Sequence, residues 1–144
     1  MANTIKIVDG VVINVEGVEL LNYEDVLNYI ASDTRGTNIE VNYDVSVGKI
    51  TSITETTAFS PLSVVSNCSG VNACWYKFST PSLDVGFIGA GDYSGPWDNR
   101  GRFETAVLAS ITWSDKNGDH NIALGSGTGY NFGSDPVIGR RVVL

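Results

Sequence analysis

His120 is the single histidine of this 144-residue chain, and it directly follows Asp115-Lys116-Asn117-Gly118-Asp119, a run rich in groups that could hold a proton or a cation. A nucleophilic site would need a serine or cysteine, this base and an orienting carboxylate. No G-x-S-x-G elbow is present to present the serine. Asp115, Asn117 and Asp119 have the D-x-N-x-D spacing that opens a calcium loop. The sixth position of that loop is His120 in place of glycine, and the twelfth is Ser126 in place of a bidentate glutamate. The same residues suit a hairpin turn, with His120 exposed beside it. Gly125–Gly129, GSGTG, resembles a phosphate cradle in composition, but a cradle needs a following helix and usually a lysine. Tyr-Asn-Phe-Gly-Ser-Asp-Pro follows instead, which reads as a connection between strands. Asp92, Asp98 and Glu104 could be searched for paired carboxylates, yet nothing in their spacing selects glycoside cleavage over solvated charge. Cys68 and Cys74 lie six apart and either close a small disulfide ring or remain thiols. With His120 distant and no second cysteine pair, they do not read as a zinc site. No catalytic residue, cofactor or metal is expected, and the chain reads as a non-enzyme.

Contact chemistry is better represented. Asp92, Tyr93, Trp97, Asp98, Asn99 and Arg100 place two flat aromatic faces among directional polar groups, in a stretch (Gly89–Gly101) of pronounced loop character. Stacking area beside hydrogen-bonding groups is what a glycan or a protein partner requires. The competing reading is that Trp97 folds back as a plug over the core. Tyr130 and Phe132 in the Gly-rich tract, and Arg140 and Arg141 near the end, complete the set of candidate contacts.

The totals restrict the partners. Nine Lys plus Arg against 16 Asp plus Glu give a net charge of −7, which repels phosphate. Nucleic acid and anionic membrane surfaces are therefore not expected partners. No run of 18 apolar residues spans a bilayer. The start, MANTIKIVDGVV, reads as an N-terminus without a secretion signal, so synthesis in the cytoplasm is expected.

The elements that must position these residues are mostly strands. Charged residues make up only 17% against a typical ~25%, and 16 Gly accompany many Thr, Ser, Asn and Val. The spacing predicts a hairpin through Thr105–Leu124, with Asn117-Gly118 at its reversal. A second hairpin is predicted around Asp9-Gly10. Residues 38–47 alternate strictly, with Ile39, Val41, Tyr43, Val45 and Val47 on one face; a Thr-rich strand from Ile50 follows and pairs with them. Cys74–Phe78 and Leu83–Ile88 read as further strands. One helix is predicted over about 22–31, capped by Asn22, with Tyr23, Val26, Leu27 and Ile30 as its apolar stripe. The expected architecture is mainly β: an antiparallel β-sandwich or barrel-like domain with one short N-terminal helix. It occupies 1–144 as a single domain, with a Gly-rich loop at 125–136 and a C-terminal strand at 137–144.

The MANTIKI start, the acidic Thr/Ser/Asn/Val/Gly-rich strands and the tail GSGTGYNFGSDP give the chain the general character of small virion proteins of tailed bacteriophages. The sequence resembles the capsid-decoration, tail and fibre kinds. That resemblance implies a structural protein of the virus particle, made in the host cytoplasm and acting by protein–protein assembly. Its implied partners are other virion proteins and copies of itself, often as a trimer. The Gly-rich tail and the terminal VIGRRVVL would then be the natural contacts, since a free strand edge can be completed by a neighbour. The alternative is a carbohydrate-binding β-sandwich module that uses the Tyr93/Trp97 loop, with a glycan as ligand.

Overall fold

In a computed structural model, the structure describes residues 4–8, 11–14, 22–33, 37–56, 68 and 71–144, with the backbone alone for the first two segments. Eleven strands and one helix follow in the order β1 (Thr4–Val8), β2 (Val11–Asn14), α1 (Tyr23–Ala31), β3 (Asn38–Asp44), β4 (Lys49–Thr56), β5 (Ala73–Lys77) and β6 (Val85–Phe87). Then come β7 (Asp92–Thr105), β8 (Ala109–Asp115), β9 (Gly118–Leu124), β10 (Thr128–Asn131) and β11 (Val137–Val143). The strands form one curled, barrel-like sheet in the order β2-β1-β4-β3-β10-β7-β11-β8-β9, and β5 pairs with both β6 and β7. Every pairing is antiparallel except β10 with β3.

The local signals explain most of this. Two residues, Lys116 and Asn117, join β8 to β9, and Gly118 at φ 109 absorbs the reversal. Ala109, Ile111 and Trp113 are buried while Ser110 and Thr112 face outward, as a half-buried strand requires. The β1–β2 hairpin pairs Val8 with Val11; its turn, Asp9-Gly10, lies outside the described residues. Helix α1 begins at Asn22, whose Oδ1 accepts the Asp25 N–H at 2.9 Å. Val26 and Ile30 are fully buried, whereas Leu27 lies at the rim of the stripe. Helix and sheet are tied where Gly125 N–H donates to the Ile30 carbonyl.

The core sits on the concave face. Tyr43, Trp113, Tyr130 and Phe132 meet ring to ring with centroids 5.1–5.9 Å apart, and Trp75 joins through Phe132 and Phe103. Edge-on and tilted contacts of this kind add to the area the rings already bury.

Two expectations are corrected. The stretch 89–101 is not a loop: from Asp92 it belongs to β7, at 14 residues the longest strand. Its Gly95-Pro96 pair and Asn99, at φ 62, coincide with shifts in register against β11. Such irregularities are where a strand tolerates proline and left-handed backbone. The Gly-rich tract 125–136 is not one loop either, because Thr128–Asn131 forms β10 between β3 and β7. Residues 137–143 do form the expected last strand.

Candidate functional site

β7 carries the candidate contacts, and it divides them by face. Asp92 and Asp98 point outward, and Tyr93, Trp97 and Asn99 are half-buried on the other side. Tyr93 packs on Phe87 at 5.2 Å, and its hydroxyl donates to the carbonyls of Ile88 and Gly89. Trp97 packs edge-on against Phe87 at 5.2 Å and lies over Gly95 and Gly139, where an added Cβ would crowd its ring. Both aromatics are thus largely committed to packing, and Trp97 serves as the plug.

Arg100 is buried rather than offered to solvent, and its groups cap carbonyls. Nε donates to Asp98, and Nη1 to Trp75 at 3.0 Å and Leu83 at 2.8 Å. Burial pulls its pKa down, against the attraction of Asp84 and Asp98. Asn99 Nδ2 donates to the Ser79 carbonyl and to the hydroxyls of Ser79 and Ser82, while its own carbonyl accepts from Phe78 N–H. These two neighbours therefore clamp the connection between β5 and β6. Phe78 and Leu83, both on that clamped connection, are 42% and 65% exposed, and Ile88 beyond β6 is 71% exposed. β6 itself pairs only with β5 among the described strands.

The remaining contact candidates divide. Tyr130 and Phe132, expected as partner contacts in the Gly-rich tract, are 1% exposed and belong to the aromatic core. The reason is β10: pairing on both sides turns Tyr130 into the concave face. Burial drives the Tyr130 pKa well above the usual phenol value. Arg140 is exposed, with Nε donating to Ser114 Oγ at 2.8 Å. Arg141 makes a two-point ion pair with Asp92 across β7 and β11, which holds the Asp92 carboxyl below its ordinary pKa.

A polar cluster that the sequence did not reveal lies on the convex face. Arg102 reaches Glu40 with both terminal nitrogens, Glu104 at 2.7 Å and Asn131 Oδ1 at 2.7 Å. Gly129 sits beneath, and a Cβ there would overlap the guanidinium and the Glu40 carboxylate. Burial opposes the arginine's charge, but the bonds it donates to Glu40 and Glu104 outweigh it and its pKa ends raised. The Glu104 side chain is 4% exposed, and its Oε1 is buried with no hydrogen-bond partner among the described residues. Burial raises the Glu104 pKa in spite of Arg102. Glu40 and Glu104 thus face one arginine in a structural ion triad.

The calcium-like spacing resolves into a hydrogen-bonded turn. Asp115 accepts from Tyr43 OH and Trp113 Nε1 on one oxygen, and from Asn117 N–H on the other, where His120 Nε2 lies at 3.1 Å. Burial pushes the Asp115 pKa up, but these bonds outweigh it and the carboxyl ends below its usual value. Asp119 accepts from Ser114 Oγ. The GSGTG backbone is similarly occupied: Gly127 N–H donates to the Thr105 carbonyl, and the Thr128 hydroxyl to the Gly125 carbonyl. Among the described residues, no three His, Cys, Asp or Glu side chains group as metal ligands. Nor is any helix among them long and apolar enough to cross a membrane. Cys68 and Cys74 form a disulfide, with Cα atoms 5.9 Å apart.

Comparison with protein-family models, with curated proteins and with solved structures finds no match.

Proposed function

We propose that this chain is a non-enzymatic structural component of a virus particle, acting through protein–protein contacts with copies of itself and with other virion subunits. One observation carries the assembly reading. Asn99 and the buried Arg100 spend four side-chain hydrogen bonds holding the β5–β6 connection, at Ser79, Ser82 and Leu83, yet that connection presents Phe78 and Leu83 to solvent. Fixing exposed apolar side chains in place lowers the entropy lost when a partner covers them. A single exposed leucine would mean nothing; a rigid connection with two such side chains, next to the short outer strand β6, is the kind of surface that marks contact. The virion assignment rests on the resemblance in sequence character.

Light scattering after size exclusion tests the reading. The native chain is expected to elute as a closed oligomer, and Phe78→Ser with Leu83→Ser to elute as a monomer with unchanged Tm. A native chain that stays monomeric over a wide concentration range, with the double variant behaving identically, would overturn self-assembly through this surface. Glycan binding through Tyr93 and Trp97 is the weaker reading, because both rings are held against Phe87.

A further inference from the structure

Asn117-Gly118, at the reversal of the β8–β9 hairpin, is the one place in the chain where glycine follows an asparagine. Elsewhere the following residue carries a side chain, as Ile39, Tyr43 and Ile122 do. Such a side chain shields the backbone nitrogen that can attack the asparagine amide carbon, and glycine leaves that nitrogen open. Asn117 and Gly118 are both exposed. The chemistry needs no reactant but water. The Gly118 nitrogen gives up its proton and bonds to Asn117 Cγ, the Cγ–Nδ2 bond breaks, and Nδ2 leaves with that proton as ammonia. Water then opens the cyclic imide at either carbonyl, which leaves aspartate or isoaspartate at position 117.

The fold holds this reaction back. Asn117 Nδ2 donates to the Val45 carbonyl at 2.7 Å, which commits the amide to the turn between β3 and β4. Ring closure needs the side chain to swing back toward Gly118, so that bond must open first. The Asn117 N–H donates to Asp115 Oδ1 at 2.7 Å and fixes the residue from its own turn. Gly48, at φ 69, lies against the amide from the other turn, and an added Cβ there would stand 3.2 Å from Nδ2. Lys116 adds an electrostatic link, since its charge favours the ionised form of Asp44. The product cannot restore the tie. A carboxylate at 117 only accepts hydrogen bonds, so it would meet the Val45 carbonyl oxygen with no proton between them. It would also stand beside Asp115, a second anion, in a chain whose net charge is already −7. We propose that Asn117 is a deamidation site gated by its bond to Val45: the touching turns protect it, and its conversion parts them irreversibly.

Peptide mass mapping of the full, folded chain during incubation at mildly alkaline pH tests this directly. Asn117 is expected to convert about tenfold or more faster than any other asparagine. It should convert faster again in Gly48→Asn, whose side chain tolerates the left-handed backbone but crowds the Asn117 amide. Asn117→Asp supplies the product directly. Hydrogen exchange at amides 46–48 should quicken several-fold in that variant, while exchange in β5 and β7 stays as in the native chain. The proposal is overturned if another asparagine converts first, or if Asn117 converts no faster in Gly48→Asn than in the native chain. It is equally overturned if Asn117→Asp leaves exchange at 46–48 unchanged. Should Gly48→Asn unfold the chain, which would show as all asparagines converting faster together, the native time course and the Asn117→Asp exchange decide the matter on their own.

Discussion

Replacing Arg102 by methionine should destabilise the chain by about 3 kcal/mol at neutral pH, and by clearly less at low pH. Arg102 links Glu40, Glu104 and Asn131, and methionine keeps much of its volume while removing every donor. Breaking a buried ion pair from one side costs about 3–5 kcal/mol, because the partner charge stays behind without compensation. Here Glu104 is 4% exposed but the Arg102 and Glu40 side chains are 25% and 31% exposed, so the lower end applies. The pH dependence follows from Glu104. Its folded pKa is raised by burial, so folding favours the protonated acid, and stability from this site falls as pH climbs from the unfolded value upward. In the native chain Arg102 restrains that rise. Without it, burial and the neighbouring Glu40 both act in the raising direction, and the loss with pH steepens. Urea denaturation followed by tryptophan fluorescence at pH 5 and pH 8 measures both terms. A deficit of about 3 kcal/mol corresponds to roughly 10 °C in Tm for a chain of this size. Glu104→Gln added to Arg102→Met should recover much of the pH 8 deficit and flatten its pH dependence, since no buried charge then remains. An equal cost at both pH values, or a total below about 1 kcal/mol, would refute the claim that a buried, uncompensated carboxylate is what Arg102 prevents.

Other changes test the remaining structure. Phe132→Ala opens a cavity among Tyr43, Trp75, Trp113 and Tyr130 and should cost about 3–5 kcal/mol by the same denaturation assay. Trp97→Ala should also lower Tm, by several degrees, because the ring covers Gly95 and Gly139; an unchanged Tm would return Trp97 to the pool of free contact residues. Asp92→Ala should leave Tm unaltered in about 0.15 M salt, since the Asp92–Arg141 pair is solvent-exposed and screened. Reducing the disulfide between Cys68 and Cys74, which closes a short loop, should cost about 2 kcal/mol in the chain-entropy picture, read as the shift in urea midpoint with and without reductant.

What the sequence reveals here depends on how far away each residue's partner lies. The β8–β9 hairpin, the Asn22-capped helix and the alternating strand Asn38–Asp44 are written in neighbours a few residues apart, and periodicity finds them, although it runs on to Val47, which lies exposed past the strand's end. β7 was hidden by Gly95-Pro96 and Asn99, residues that punctuate loops. Yet the alternation was there beneath them: Tyr93, Gly95, Trp97 and Asn99 share one face, and Asp92, Ser94, Pro96 and Asp98 the other. A strand that absorbs proline through shifts in register keeps its period in the side chains while losing it in the composition. β10 offered no such trace. Four residues in a glycine-rich tract become a strand because β3 and β7 stand on either side, and their ladders supply the order that local propensity does not. Tyr130 and Phe132 then enter the core as a consequence of pairing. The same distance explains the chemistry. Arg102 is 62 residues from Glu40 and 29 from Asn131, and Tyr43 is 72 from Asp115. No spacing rule joins such pairs. Charges that looked like solvated loop residues, Glu104 above all, turn out to be determined by what the sheet brings beside them, so their roles become visible only once strand order is known.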